Sequence, residues 1–179
     1  MSNASDAFEE FIQDAENLLK HFDTLNTKPP PSEIEVLKRA GLIMAMTAWE
    51  TYVEDRLLEA ARERLSKLRN KDIAKFLEAK LDVEIKRLHN PTYDKTAELF
   101  RDYAGVDLSK SWCWGYYKLQ DVRDTLSMFM KLRGDIVHRS RVVTEGAVLA
   151  HPVTKEKLQK AIRFLKGLVI ATEKAFETA

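Results

Sequence analysis

The chain has 179 residues with 29 basic and 28 acidic side chains, which suits a single domain or one domain with arms. A net charge of +1 excludes a strong overall attraction to nucleic acid, so any basic surface must be local. One cysteine excludes an intramolecular disulfide and a cysteine-rich zinc site, and it fits a reducing cytoplasm. No apolar run approaches the roughly 20 residues of a membrane span. We therefore expect a cytoplasmic protein that does not enter membranes.

The beginning of the chain is acidic and polar, which does not fit a signal peptide. Ser2, Asn3 and Ala4 are typical of the remnant left by tag removal. Residues 1–5 are therefore expected to be a disordered start, and residues 6–179 a single helical domain.

Two helices are predicted in the first third of the chain. Apolar residues recur every three or four positions over 6–26, and the prolines of 29–31 end this helix. The next helix is long, over 33–68, and contains Gly41 among small residues, where a close helix approach is expected. Its middle is apolar around more than half of its circumference, as in the central helix of a bundle.

Two shorter helices follow, over 72–88 and 92–103. A break at His89-Asn90-Pro91-Thr92 separates them, because proline restricts the residue before it and lacks an amide proton. Gly105 is placed to end the second of these helices.

The last third of the chain is predicted to hold a loop over 106–115 and helices over 117–139 and 154–176, joined by a connection over 142–151. Cys113 lies in the loop between two tryptophans, where a packed small residue is a better interpretation than a nucleophile. With no repeat and no alternation of strands and helices, the fold class is all-α, a bundle of about five or six helices. Its centre is expected to be an antiparallel pair of the long helix and the 117–139 helix.

Standard catalytic motifs are missing from the sequence: it has no glycine-rich phosphate loop, HExxH, GxSxG or CxxC. No histidine has a histidine or cysteine partner at metal-ligand spacing, so neither a metal nor a cofactor is expected.

The segment LRGDIVHRSR, residues 132–141, is the remaining candidate site. With Lys131 before it, the segment has four basic residues within 131–141 against one acidic residue. His138 is suited to proton transfer near neutral pH, and Arg133 to binding a phosphate and stabilising developing charge. Five residues on an ideal helix turn through roughly 500°, so the two positions differ by about 140°. Either Gly134 distorts the helix, or a second chain completes the site.

A structural interpretation of the same segment is an i, i+4 ion pair between Asp135 and Arg139, with Arg133 and His138 as ordinary polar residues at a helix end. Glu50 lies beside Trp49 in the apolar part of the long helix, where a buried carboxylate needs a partner. That partner would either belong to the site or simply hold helices together.

The motif Arg133-Gly-Asp-Ile-Val-His138 on a late helix resembles the R-x(4–6)-H motif of HEPN domains. The segments AMTAWETYVEDRL, residues 45–57, and NPTYDKTAELFRDYAGVDL, residues 90–108, look like the corresponding parts of the RiboL-PSP-like branch. The resemblance covers roughly residues 33–175.

The resemblance implies a helical bundle that forms a homodimer, with the Arg/His motifs of two chains facing one cleft. Many such domains are metal-independent endoribonucleases of toxin–antitoxin and phage-defence systems. Arg133 would then hold the phosphate of an RNA substrate, and His138 would transfer a proton as the ribose 2′-hydroxyl attacks, which leaves a 2′,3′-cyclic phosphate. Asp135, Arg139 and Glu50 would be supporting residues, and the further partner would be an antitoxin protein.

Gly134 departs from the family pattern, in which a polar residue usually follows the arginine. Asp135 could replace that polar group only through a local distortion of the helix. The alternatives are therefore a non-catalytic module that binds RNA or a nucleotide, or that pairs with an antitoxin, and a helical interaction domain without a nucleic-acid role. The near-zero net charge favours the last.

Overall fold

The computed structural model describes residues 2–27, 31–138 and 153–178, and of Ser32 and His138 only the backbone. Within these ranges the chain forms six α-helices and no strand, which confirms the all-α prediction. The helices are α1 Asn3–Leu25, α2 Glu35–Ser66, α3 Lys71–Lys86, α4 Tyr93–Leu99, α5 Leu119–His138 and α6 Lys155–Glu177. The 3₁₀ turns Ser32–Ile34 and Leu108–Lys110 and the π-helical turn Phe100–Ala104 complete the regular structure. The connection predicted over 142–151 lies outside the described residues.

The long helix α2 is central, and α1 packs along it more extensively than any other described element does. The two run antiparallel: Phe8 meets Tyr52 edge-to-face with ring centroids 5.9 Å apart, and the backbone amide of Ala4 donates to Glu59 at 3.1 Å. The prediction that α5 is the main partner of α2 is therefore wrong. The short connection between α1 and α2 already favours antiparallel packing of these two helices. The spacing of apolar residues shows which face of a helix is buried, but not which other helix covers that face.

Helix α6 lies against both α1 and α2, and runs parallel to α2. At its beginning Leu158 faces Gly41, where an added Cβ would lie 2.8 Å from a Leu158 methyl. This confirms that Gly41 allows close helix approach. At the other end of α6 the Glu173 carboxylate accepts hydrogen bonds from the Tyr52 hydroxyl at 2.8 Å and from Arg56 Nε at 2.9 Å. Burial and the Glu173 carboxylate raise the pKa of Tyr52 well above its usual value.

The first residues of the chain belong to this packing. Ser2 caps α1 by accepting from the Ser5 amide, and its hydroxyl donates to Glu173 at 2.9 Å. Ala4 and Ser5 are buried. The expectation of a disordered start over 1–5 does not fit residues 2–5, because Ser2 caps α1 and Ala4 and Ser5 are buried in its first turn.

The segment before α5 is an ordered loop that packs on α6. Buried Trp112 donates its indole N–H to the Thr172 hydroxyl at 3.0 Å, and Trp114 stacks on Phe164. Cys113, between them, is exposed. The prediction of a packed cysteine is wrong, because the tryptophans on either side of Cys113 pack on α6 while Cys113 itself is exposed.

The remaining elements close the bundle. Gly105 ends the π-helical turn with a left-handed backbone, φ 75°, as predicted for a helix stop. In α5 the buried positions Val122, Leu126 and Phe129 face the core. No helix in the described part of the chain is long and apolar enough to cross a membrane.

Candidate functional site

Arg133 extends the buried stripe of α5 to the edge of the core, one turn after Phe129. Its side chain is 23% exposed. Nη2 lies 2.9 Å from Oε2 of Glu50, and Nη1 donates to Oδ1 of Asn90 at 2.7 Å. The guanidinium is therefore held by a carboxylate from α2 and by an amide from the turn before α4.

Glu50 and Asn90 are also joined to each other. The backbone amide of Asn90 donates to Oε1 of Glu50 at 3.3 Å. The Glu50 carboxylate therefore contacts both the Asn-Pro turn, through Oε1, and Arg133, through Oε2. Asn90 has a left-handed backbone, φ 58°, a conformation that asparagine tolerates better than most residues. The next residue, Pro91, accepts the buried indole N–H of Trp49 at 3.2 Å. Two consecutive α2 residues thus fix the Asn-Pro turn opposite α5.

A second group of ionisable side chains lies one helical turn further along α2. Burial, reinforced by Glu50 and by Asp55, raises the pKa of Glu54 from its usual value, and His89 opposes that rise. Burial raises the pKa of Asp55 as well. The acidic group that touches Arg133 is Glu50, which compensates a cation that would otherwise be poorly solvated.

The predicted site residues are brought together only in part. Arg133 and Glu50 are in direct contact. Asp135 is half-buried on α5. The backbone of His138 ends α5 as helix, whereas its side chain and the whole of Arg139 lie outside the described residues, and with them the predicted Asp135–Arg139 pair.

Helix α5 continues without a break through Gly134, which has no positive φ. The helix distortion that could have brought positions 133 and 138 to one face is not observed. On an ideal helix, position 138 lies on the face of Lys131 and Gly134, about 140° from Arg133.

Sequence reasoning missed Asn90 as a contact of Arg133. It identified the Asn-Pro turn only as a break between helices. An asparagine directly before a proline at a helix break is a signal for a left-handed turn, but nothing local indicates that this turn meets α5, 43 residues later.

The site has the chemistry of an anion contact. A guanidinium carries five N–H donors. The two contacts described above engage one donor on Nη1 and one on Nη2, which leaves Nε–H and a second hydrogen on each Nη. A guanidinium held on one side, with N–H donors remaining, is chemically able to donate to an anion such as a phosphate. In the described ranges no three histidine, cysteine or acidic side chains are grouped as metal ligands would be.

The six helices of the described residues, with no strand among them, are consistent with an HEPN-like bundle. The family described as RiboL-PSP-HEPN matches residues 9–178, nearly the whole chain. The chain belongs to the RiboL-PSP-HEPN family. No curated protein and no solved structure matches it.

Proposed function

We propose that the protein is a metal-independent endoribonuclease of toxin or defence type that acts as a cytoplasmic homodimer. Arg133 and His138 would form the core of the site, with Glu50, Asp135 and Arg139 in support. The observation that carries the proposal is the fixed guanidinium of Arg133, held by Glu50 and Asn90 with N–H donors to spare, in a chain of the RiboL-PSP-HEPN family.

The proposed reaction needs no cofactor. The ribose 2′-oxygen attacks the adjacent phosphorus and loses its proton to a base, the bond from phosphorus to the 5′-oxygen breaks, and that oxygen takes up a proton. The products are a 2′,3′-cyclic phosphate and a 5′-hydroxyl. Arg133 would stabilise the charge that develops on the phosphate oxygens, and His138 would move the protons.

The continuity of α5 supports a site shared between two chains. Because Arg133 lies on the inner stripe and position 138 on another face of an unbroken helix, the two do not form a same-face pair within one chain. A twofold axis near the end of α5 would bring the motif of one chain beside that of the other.

RNA cleavage in the presence of EDTA tests the proposal. Wild type should release fragments that end in a cyclic phosphate, whereas His138→Ala and Arg133→Ala should each lose at least about 100-fold in rate. His21→Ala, at an exposed histidine on α1, is the matched control and should cleave normally. No cleavage by wild type on RNAs of varied sequence and structure would contradict the proposal, as would equal rates for wild type and His138→Ala.

The second candidate is a non-catalytic module that binds RNA or a nucleotide, or that partners an antitoxin protein. Gly134 favours it, since the polar residue usual after the arginine is missing and the helix is not distorted to let Asp135 replace it. Salt-dependent RNA binding without products, in the same preparation, would select this candidate.

A further inference from the structure

The turn before α5 presents a tyrosine at its tip. Trp114 and Tyr117 exchange backbone hydrogen bonds, of 3.1 Å from the Trp114 amide and 2.8 Å from the Tyr117 amide, so Gly115 and Tyr116 form a two-residue hairpin turn. Gly115 has φ 54°, and glycine is the favoured first central residue of such a turn. Tyr116 is 101% exposed, whereas Trp114 and Tyr117 at the base of the turn are partly buried.

The base of this turn is fixed to α6. Trp114 and Tyr117 both stack on Phe164, with ring centroids 5.7 and 5.3 Å away. Gly167 admits the Trp114 indole, because a Cβ there would lie 2.5 Å from its Nε1. Tyr116 is therefore an exposed aromatic ring on a backbone that packing holds in place, which keeps the entropic cost of stacking on it low.

A basic stripe of α6 lies beside the turn. Exposed Lys160, Arg163, Ile170 and Lys174 share a helix face with Gly167, the residue that contacts Trp114. None of the three cations of this stripe takes part in an ion pair among the described residues. The two ends of the same face carry Glu156 and Glu177, outside the stripe.

Two further lysines lie in the turn's own segment. Lys110 and Lys118 are exposed on either side of it, while Asp121 is engaged by the Lys118 backbone amide at 2.9 Å. Exposed cations around an exposed aromatic ring are complementary to single-stranded nucleic acid, in which phosphates repeat along the strand and unpaired bases offer faces for stacking.

We propose that the Gly115–Tyr116 turn and the basic stripe of α6 form a binding surface for single-stranded RNA. One unpaired base stacks on Tyr116, and Arg163 and Lys160 contact phosphates. The proposal rests on the RNA-directed function proposed above, and it adds a place where the substrate is held away from Arg133. Along α5 the distance from its first residue, Leu119, to Arg133 is about 21 Å, from 14 residues at about 1.5 Å each. A strand bound here therefore reaches the site only if it extends along the bundle.

The test is a binding measurement with an RNA that cannot be cleaved. A 2′-O-methyl oligonucleotide of about 12 residues lacks the attacking hydroxyl, so wild type binds it without turnover. With 2-aminopurine in place of one base, stacking on Tyr116 quenches its fluorescence, and anisotropy of an end label gives the affinity.

Tyr116→Leu should weaken binding by at least about fivefold and remove the quenching, whereas Tyr116→Phe should stay within about twofold of wild type. Log affinity falls as log salt concentration rises, and Arg163→Gln should make this negative slope shallower by about 0.7, because one phosphate contact is lost. The matched controls lie on α3. Phe76→Leu removes another exposed aromatic ring, and Lys75→Gln removes another exposed cation. Both variants should bind the oligonucleotide as wild type does.

Wild-type affinity and quenching in Tyr116→Leu would overturn the proposal, as would an equal loss in Phe76→Leu. Binding of polyglutamate in place of RNA, with the same dependence on Tyr116 and Arg163, would also overturn it and would assign the surface to an acidic protein partner. Failure here is separate from failure of the ribonuclease: a chain that cleaves RNA through His138 while Tyr116→Leu binds normally retains the proposed function and loses only this surface.

Discussion

The ion pair between Glu50 and Arg133 connects the central helix to α5, and its strength can be measured with a double-mutant cycle. The two side chains are 15% and 23% exposed and their charged atoms lie 2.9 Å apart. Removing one partner of a fully buried pair costs about 3–5 kcal/mol, and an exposed pair contributes about 0–1 kcal/mol. For this partly buried pair we expect Glu50→Gln and Arg133→Met each to destabilise by roughly 1–3 kcal/mol.

The coupling in the cycle should be about 1–2 kcal/mol, because the double variant Glu50→Gln/Arg133→Met leaves no unpaired charge behind. Urea unfolding followed by far-UV circular dichroism gives all four free energies of unfolding. The control cycle uses Arg62 of α2 and Glu78 of α3, which are 3.4 Å apart and 60% and 45% exposed, and it should give less than about 0.5 kcal/mol. Additivity of the Glu50 and Arg133 changes within about 0.5 kcal/mol would refute the assignment of this pair as a fixed anchor for the guanidinium.

Two glycines of neighbouring helices should respond oppositely to alanine. Gly167→Ala should destabilise the protein by about 1–3 kcal/mol, because the new Cβ lies 2.5 Å from Trp114 Nε1. Gly134→Ala should stabilise it by up to about 1 kcal/mol, since nothing described lies within 4 Å of its Cβ position. Thermal unfolding of both variants checks this, and a change of Tm in the same direction for both would contradict it. Glu54→Gln should raise Tm by on the order of 1–2 °C at pH 7.5, because burial and Glu50 raise the pKa of this carboxyl above 4.5 and its ionised form is disfavoured in the folded protein. The gain should vanish as pH falls through the raised pKa to below 4.5, where the carboxyl is protonated both folded and unfolded, and a gain that persists there would contradict the reasoning.

The helices could be predicted because their signals are local. Apolar spacing, the prolines after α1 and Gly105 after the π-helical turn placed the elements within a few residues of where the structure has them. The partner of each face was not predictable in the same way. The prediction that α2 and α5 form the centre of the bundle was wrong. A helix such as α2, which is apolar on several sides, can pack against any helix that the connections bring to it.

The candidate site was predictable as a set of residue types and not as a set of contacts. Arg133 and Glu50 stand out as a phosphate-binding side chain and as a carboxylate in an apolar stretch, and their direct contact needs the fold to bring α2 and α5 together. Asn90 depends on a left-handed turn and on its distance to α5, which no local pattern encodes. The same holds for Cys113, whose exposure follows from the packing of two neighbouring tryptophans on α6.

In the proposed dimer, RNA is cleaved at a site to which one chain contributes Arg133 and its partner contributes His138. Mixing inactive Arg133→Ala and inactive His138→Ala proteins, with subunit exchange, tests this shared site, because only the mixed dimer contains one intact arginine opposite one intact histidine. We expect the mixture to regain metal-independent cleavage that ends in 2′,3′-cyclic phosphates, while each variant alone stays inactive. A mixture that exchanges subunits yet cleaves no more than either variant alone, beside an active wild type, would contradict the claim.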